Sequence, residues 1–251
     1  MAEMTCLTTN PQPGNDRFRR ALEQTGMEVL QLPLHHIAAP SDGGARLRAV
    51  IATLQRRDWL LFSTPRSVQV FTETLQEHGS TPPPHVTIAA VGGATASCLQ
   101  QSGMVPDVVG DGSGRSMAKA LVARGVAGMR CYSLQAEGGR TDWHARLLNA
   151  GATVTMVATH RLVPTPLNVA SCCMTYPIAA VPFTAPSAVE RFHDLFGAVL
   201  HRAPFVGARF FAIGETTAIA VRTRKLPLAG ISPRANFQDY ACFIGTTLSI
   251  V

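Results

Sequence analysis

Short apolar runs alternate with segments of helical periodicity from the start of the chain. Apolar runs at residues 4–9 and 29–34 predict two strands. Between them, Phe18 to Thr25 has apolar side chains at helix spacing, and Gly26 follows as a common helix-ending residue. Because short strands alternate with helices in this way, the pattern predicts a parallel α/β sheet.

The same alternation continues through the next hundred residues. Val86 to Val91 reads as a buried strand that runs into a Gly-rich turn and a further helix ending near Gly103. The remaining elements predicted here are helices at 45–55 and 116–124 and strand segments at 60–62 and 108–109.

One strand-to-helix turn occurs twice. Phe62 matches Phe183, Pro65 matches Pro186 and Val68 matches Val189, and each pair is 121 positions apart. Proline is favoured at the first position of a helix, where its missing N–H costs nothing. Thr64 can accept a backbone hydrogen bond as the N-cap residue of the first copy, whereas Ala185 cannot do so in the second.

A second turn is also repeated, since residues 90–96 match residues 212–218 at an offset of 122. Exposed N–H groups and the positive end of the helix dipole make such turns anion sites. In open parallel sheets, ligands bind at the carboxyl ends of the strands. Two lobes facing each other would therefore line a cleft, and the candidate ligand-binding hydroxyls are those of Ser63, Thr64, Thr95, Thr184, Ser187, Thr216 and Thr217.

From Met129 the whole pattern restarts, which indicates duplication of a half-chain unit. Taken alone, the repeat would place a domain boundary near residue 126. The pairs that share an offset of 125 include Met4/Met129, Cys6/Cys131, Leu22/Leu147, Gly26/Gly151 and Val29/Val154.

Composition narrows the ligand classes. The net charge of +6 and the pI of about 9.3 suit an acidic ligand, but charge alone does not choose among a polyanionic metabolite, nucleic acid and a membrane surface. With 6% aromatic residues and no basic-aromatic interleaving, nucleic acid is the weaker choice.

No apolar run reaches the ~20 residues that span a bilayer. Six cysteines without a Cys-x-x-Cys spacing, and no signal peptide, predict a reduced cytoplasmic protein.

Common catalytic and cofactor motifs are missing from the sequence. It contains no Walker A sequence, Gly-x-Gly-x-x-Gly, His-Glu-x-x-His or Gly-x-Ser-x-Gly. The histidines have no metal-ligand spacing, and adjacent His35 and His36 are expected on opposite faces of a strand. The Gly-rich segment 110–114 could cradle an anion, although a plain loop is favoured. No metal site is therefore expected.

Four motifs, in order, resemble the uroporphyrinogen-III synthase family. They are Phe62-Ser-Thr-Pro, Val91-Gly-Gly-Ala-Thr-Ala, Phe183-Thr-Ala-Pro-Ser and Ala212-Ile-Gly-Glu-Thr-Thr-Ala, and the likeness covers essentially the whole chain. Three positions depart from the family pattern. Ser63-Thr64 reverses the usual Thr-Ser, Lys225 replaces a helix-ending Gly, and His160 stands where a Tyr is common.

The resemblance implies two similar flavodoxin-like lobes with parallel sheets, arisen by internal duplication and joined by a two-stranded connector. One lobe would be discontinuous, comprising residues 1–36 and 163–251, and the other would comprise residues 37–162. The connector would lie near 33–39 and 158–164. This division replaces the boundary near residue 126, because a sheet can exchange equivalent strands between two copies of a unit.

The resemblance also implies a cyclising hydro-lyase. Hydroxymethylbilane, which carries eight carboxylates, would lose its hydroxyl, and ring D would invert through a spiro intermediate before the macrocycle closes. His160 would assist departure of the hydroxyl as a general acid, and no cofactor or metal would be needed. The protein is expected to be a monomer whose partner is this polycarboxylate. It is expected to bind neither nucleic acid nor a membrane. The alternatives are an inactive or sensory tetrapyrrole-binding relative and a two-lobe binder of sugar phosphates or nucleotides.

Overall fold

The computed structural model describes residues 4–11, 16–79, 86–167 and 177–249. Two of the six cysteines, Cys172 and Cys173, lie outside these residues. The strands are β1 Thr5–Thr8, β2 Glu28–Gln31, β3 His35–Ala38, β4 Trp59–Phe62, β5 Thr87–Ala90, β6 Val108–Val109, β7 Arg130–Ala136, β8 Thr153–Pro164, β9 Ile178–Phe183, β10 Arg209–Ala212 and β11 Leu228–Ile231.

The helices alternate with these strands. They are α1 Asp16–Glu23, α2 Ala45–Thr53, α3 Pro65–Glu77, α4 Gly93–Gln101, α5 Gly114–Arg124, α6 His144–Asn149, α7 Pro186–Phe196, α8 Glu215–Thr223 and α9 Phe237–Ser249.

The chain divides into two compact units. Unit 1 comprises Met1–Ile37 and Val163–Val251, and unit 2 comprises Ala38–Leu162. Unit 2 is therefore continuous in sequence, whereas unit 1 is assembled from the two ends of the chain.

Unit 1 is built on a parallel sheet with the strand order β11-β10-β9-β1-β2. One apolar cluster on this sheet includes Val189, Phe192 and Val221 from α7 and α8. A second cluster includes Phe18 from α1 and Tyr240 from α9. Both faces of the sheet are thus covered by helices, as parallel sheets require.

Unit 2 has a sheet with the order β3-β8-β7-β4-β5-β6, in which the pairs from β8 to β6 are parallel. Its two apolar clusters draw on α2, α3 and α4 and on α5 and α6, respectively. The five strands β8-β7-β4-β5-β6 follow the same order as β2-β1-β9-β10-β11 of unit 1. The prediction of parallel α/β sheets is confirmed.

The segment after β2 differs from the prediction. A single strand was expected at 29–34, but β2 ends at Gln31 and His35 begins a separate strand that hydrogen-bonds to β8. Pro33 has no N–H to give to a sheet, which explains the interruption. Within β3, His35 is buried and His36 is exposed, so the prediction that they face opposite sides is confirmed.

A strained residue follows the C-terminal end of helix α8. Lys225 has φ +54°, in the left-handed region, and its N–H donates to Arg222 O at 2.9 Å. The matching position after α4 is Gly103, with φ +76°. A side chain in this conformation is strained, which is why glycine usually ends helices in this way.

We expect Lys225→Gly to raise the free energy of unfolding by about 0.5 kcal/mol, because relief of strain of about 1–2 kcal/mol exceeds the entropic cost of glycine. Urea denaturation of the purified variant measures the change. Gly103→Lys is the matched control and should lower the free energy of unfolding. A Lys225→Gly protein less stable than the parent would contradict the prediction.

Candidate functional site

The turn after β4 is built around Thr64. This residue is the N-cap of α3, and its Oγ1 accepts a hydrogen bond from Ser67 N at 3.1 Å. Pro65 is the first helical residue. The predictions of a threonine cap and of proline at the helix start are confirmed. The Thr64 hydroxyl is consequently occupied by its own helix, while neighbouring Ser63 donates its N–H to Leu134 O at 3.1 Å.

A chain of buried hydroxyl contacts leads from this cap to His160. Thr64 Oγ1 lies 2.9 Å from Ser67 Oγ, and Ser67 Oγ lies 3.1 Å from Thr159 Oγ1. Thr159 Oγ1 donates to Gln135 O at 3.1 Å and lies 2.9 Å from His160 Nδ1. The capped helix and the strand that carries His160 are therefore joined through side chains inside unit 2.

The protonation of His160 follows from these contacts. Its side chain is 6% exposed, and burial, with a smaller contribution from the charge of Arg66, lowers the pKa of His160 to about 4. A hydroxyl has one proton, and Thr159 gives it to an acceptor such as the Gln135 carbonyl. We therefore assign the proton on the His160 ring to Nδ1, which donates to Thr159, and leave Nε2 as an acceptor. With its pKa lowered in this way, the His160 ring is predominantly neutral near pH 7.

The neighbouring turn, after β5, has no side-chain cap. Gly92 precedes α4 in an extended conformation, and Val91 N donates to Phe62 O at 3.0 Å, which ties this turn to the one after β4. A Cβ built on Gly92 would come within 2.8 Å of Gly112 Cα. Thr95 is the third residue of the helix and is buried.

The Gly-rich segment 110–114 already holds a carboxylate of its own. Asp111 Oδ1 accepts hydrogen bonds from Ser113 N at 3.1 Å and Ser113 Oγ at 2.9 Å, and these lower the pKa of Asp111. Ser113 Oγ in turn caps α5 by accepting from Ser116 N. The segment is a helix-capping loop in which Ser113 binds both the Asp111 carboxylate and the start of α5.

Unit 1 presents the corresponding pair of turns. Ala185, the N-cap of α7, makes no side-chain capping bond, as predicted, and Ser187 is the second residue of that helix. The hydroxyl of Thr184 accepts a hydrogen bond from Asn10 Nδ2 at 2.7 Å. Asn10 follows β1, which pairs with β9, so the turns after both strands meet at one edge of the sheet.

The second turn of unit 1 matches the Gly turn of unit 2. Gly214, the extended N-cap of α8, makes no side-chain capping bond, and Ile213 N donates to Phe183 O at 3.0 Å. Thr216 is exposed and lines a cavity of about 260 Å³ between α7 and α8, whereas Thr217 is buried.

Each unit thus gathers its own set of candidate residues at the carboxyl edge of its sheet. Unit 2 brings together Ser63, Thr64, Thr95 and His160, and unit 1 brings together Thr184, Ser187, Thr216 and Thr217. Three of the four turns leave the first N–H groups of their helices without a side-chain cap. The sequence motifs did not identify Ser67, Thr159 and Asn10 as site residues, because none of them lies at a position that the repeated turns share.

Within the described ranges, no group of three or more His, Cys, Asp or Glu side chains is placed to hold a metal ion. None of the helices described is both long and apolar enough to cross a membrane.

Two doubly wound α/β sheets with uncapped helix starts at their carboxyl edges define a class of α/β proteins suited to anionic ligands. The family model of uroporphyrinogen-III synthase HemD matches residues 16–241. The chain belongs to the uroporphyrinogen-III synthase family.

Solved structures of such enzymes share the fold. A mutant uroporphyrinogen III synthase from the extremely thermophilic bacterium Thermus thermophilus is 18% identical, with a TM-score of 0.67 over 99% of this chain and 100% of the other. The synthetase from Helicobacter pylori is 15% identical, with a TM-score of 0.63 over 99% and 100% of the two chains. No curated protein matches the sequence.

Buried histidines should make the fold sensitive to mild acid. Burial lowers the pKa of His35, His144 and His160, while the unfolded chain keeps the histidine pKa near about 6.5. Between about pH 4 and 6.5 the unfolded state therefore binds more protons, so stability is lost as the pH falls through this window. Urea unfolding at several pH values measures the slope, and His160→Phe should reduce it. Stability that is constant from pH 7 to 5 would contradict this expectation.

Proposed function

We propose that the chain converts hydroxymethylbilane into uroporphyrinogen III by dehydration, inversion of ring D through a spiro intermediate and closure of the macrocycle. The observation that carries the proposal is the family match over residues 16–241. The enzyme acts as a cyclising lyase in haem biosynthesis. Its partner is this small polycarboxylate, and a monomer that binds no nucleic acid is our further prediction.

The decisive experiment supplies hydroxymethylbilane to the purified protein and separates uroporphyrin III from uroporphyrin I after oxidation. Predominance of isomer III over the spontaneous product supports the proposal. A protein that binds the bilane yet leaves only isomer I would overturn it in favour of a protein that binds tetrapyrroles without turning them over.

The uncapped turns supply the groups that bind substrate carboxylates. The first N–H groups of α4, α7 and α8 are the donors, and the hydroxyls of Thr95, Ser187, Thr216 and Thr217 add to them. Carboxylates are favoured at helix starts both by hydrogen bonding and by the helix dipole. The eight carboxylates of the substrate and the net charge of +6 are complementary. Ser63, Thr64 and Thr184 border these turns, and Thr64 contributes mainly by fixing α3.

The strand order of the two sheets also supports a common origin. We infer that they arose by duplication of one unit, because five strands of each follow the same order. On this proposal, residues 1–36 and 163–251 form one lobe and residues 37–162 the other. The hydrogen-bonded strands β3 and β8, near 33–39 and 158–164, form the connector.

His160 is the candidate catalytic side chain. Its neutral ring offers an acceptor at Nε2, so we assign it a base-like role instead of proton donation. As hydroxide leaves a hydroxymethylpyrrole, the pyrrole N–H becomes more acidic and its proton moves to Nε2. This proton and the hydroxide together make the water that is lost. The hydroxyl chain through Thr159 fixes the ring that does so. Positioning the two ends of the bilane supplies the rest of the rate enhancement.

Thr217→Ala should weaken the interaction with hydroxymethylbilane while the fold is retained. Loss of one hydrogen bond to a carboxylate costs about 1.5–3 kcal/mol, or roughly tenfold to 100-fold in binding. Steady-state KM and a thermal melt are measured together. Thr223→Ala is the control, because its hydroxyl donates to Ile219 O on the same helix. If Thr217→Ala melts much earlier but binds normally, Thr217 is a structural residue.

His160→Phe should lower kcat by about 10²–10⁴-fold with a much smaller change in KM, since proton transfer acts in the transition state. With a pKa of about 4, a basic His160 predicts a wild-type kcat that is constant between pH 6 and 8. A kcat that falls steadily as the pH rises through this range would instead indicate an acid, and an undiminished rate in His160→Phe would leave positioning to carry the reaction.

A further inference from the structure

Among the residues of unit 1 that the structure describes, four buried side-chain atoms have no hydrogen-bond partner. They are Thr9 Oγ1, Asn10 Oδ1, Thr165 Oγ1 and Arg191 Nε. Across the parts of the chain that the structure describes, one other side-chain atom, Arg66 Nε of unit 2, is buried without a hydrogen-bond partner. Because an unpaired buried polar group destabilises a fold, their concentration in one place points to a role other than stability.

Backbone hydrogen bonds hold these residues, which we name the polar cluster, at one corner of the sheet of unit 1. Leu34 N donates to Thr9 O at 3.3 Å, and Thr165 N donates to Leu34 O at 2.9 Å. Arg191 Nη2 then donates to Thr165 O at 3.4 Å. The unpaired atoms are therefore carried by residues that are neighbours in the fold although they are distant in sequence.

Asn10 connects the polar cluster with the start of α7. Its side-chain amide donates from Nδ2 to Thr184 Oγ1, and it is 8% exposed, while Thr9 is 1% exposed. Rotating the amide by 180° would let Thr184 donate and leave the NH₂ group unpaired instead. In either orientation one end of Asn10 is unused beside a helix start that Ala185 does not cap.

The charge of the polar cluster favours an anion. None of the ion pairs between described residues involves Arg191. Its charge contributes, after burial, to the lowered pKa of His35. Two hydroxyls, a guanidinium N–H and an amide that can present donors match the acceptor sites of a carboxylate.

We propose that the polar cluster of Thr9, Asn10, Thr165 and Arg191 binds one carboxylate. On the proposed function, on which this assignment rests, the carboxylate is a side arm of the bilane. Thr165 and Arg191 are half-buried, so the arm enters from their side, and small side-chain rotations bring Thr9 and Asn10 into contact. The unpaired groups of the free protein are then satisfied by the ligand.

Thr9→Val tests the hydroxyl with little change of shape. Removing an unpaired buried hydroxyl should raise the melting temperature by about 2–4 °C, while KM for hydroxymethylbilane should rise about fivefold to tenfold. Thr8→Val is the matched control on the preceding residue, because Thr8 Oγ1 donates to Leu30 O at 3.2 Å. That variant should melt earlier with an unchanged KM. A purely structural role for Thr9 cannot produce higher stability together with weaker binding.

Arg191→Met tests the charge, and it should raise KM tenfold or more. Arg191→Lys keeps the charge but loses Nε, and it should restore part of the affinity. Propionate serves as a single-carboxylate probe, since it should raise the melting temperature of the parent protein more than that of Arg191→Met.

The outcomes separate this proposal from the function on which it rests. If the parent protein makes isomer III and Thr217→Ala weakens binding, but Thr9→Val and Arg191→Met bind the bilane like the parent, the polar cluster is not a carboxylate site. If the parent protein makes no isomer III, the proposed function itself fails. In that case, a rise in melting temperature with propionate that is present in the parent protein and lost in Arg191→Met would still support a carboxylate site, whose ligand would be a different one.

Discussion

The candidate site depends on one constraint, which is that parallel strands covered by helices on both faces end together at one edge. That edge is where the chain must turn from strand to helix and where the first N–H groups of each helix lack partners within the helix. In unit 2 these groups are partly satisfied by Thr64, while Gly92 leaves them uncapped. In unit 1, Ala185 and Gly214 both leave them uncapped. We propose that substrate carboxylates bind at these uncapped helix starts.

Thr159 links helix capping with chemistry in unit 2. Its hydroxyl contacts Ser67, the carbonyl of Gln135 and the ring of His160. The Gln135 carbonyl can only accept, so the Thr159 hydroxyl is the donor in that contact. His160 is thus in contact with a residue that is linked through Ser67 to the cap of α3. A histidine at this position would not make the same contacts without the hydroxyls of Thr159 and Ser67.

Local patterns predicted those features that depend on local physics. The cap at Thr64 and the helix start at Pro186 follow from residue type and position, and the parallel sheets follow from alternation. The state of His160 could not be predicted in this way, because its pKa depends on burial beneath residues distant in sequence. Asn10 and Arg191 are 181 positions apart, and no periodicity links them. The carboxylate roles proposed for the turns remain predictions.

The discontinuity of unit 1 has a consequence for synthesis. Strand β1 lies between β2 and β9, so the first 37 residues cannot complete their sheet until the C-terminal segment has been made. Translation of 163–251 takes about 4–18 s at ordinary rates. Unit 2, which is continuous, can fold during that time, while β1 leaves the ribosome with one edge unpaired. An unpaired strand edge is prone to wrong pairing, so β1 is open to mispairing until β9 has been made.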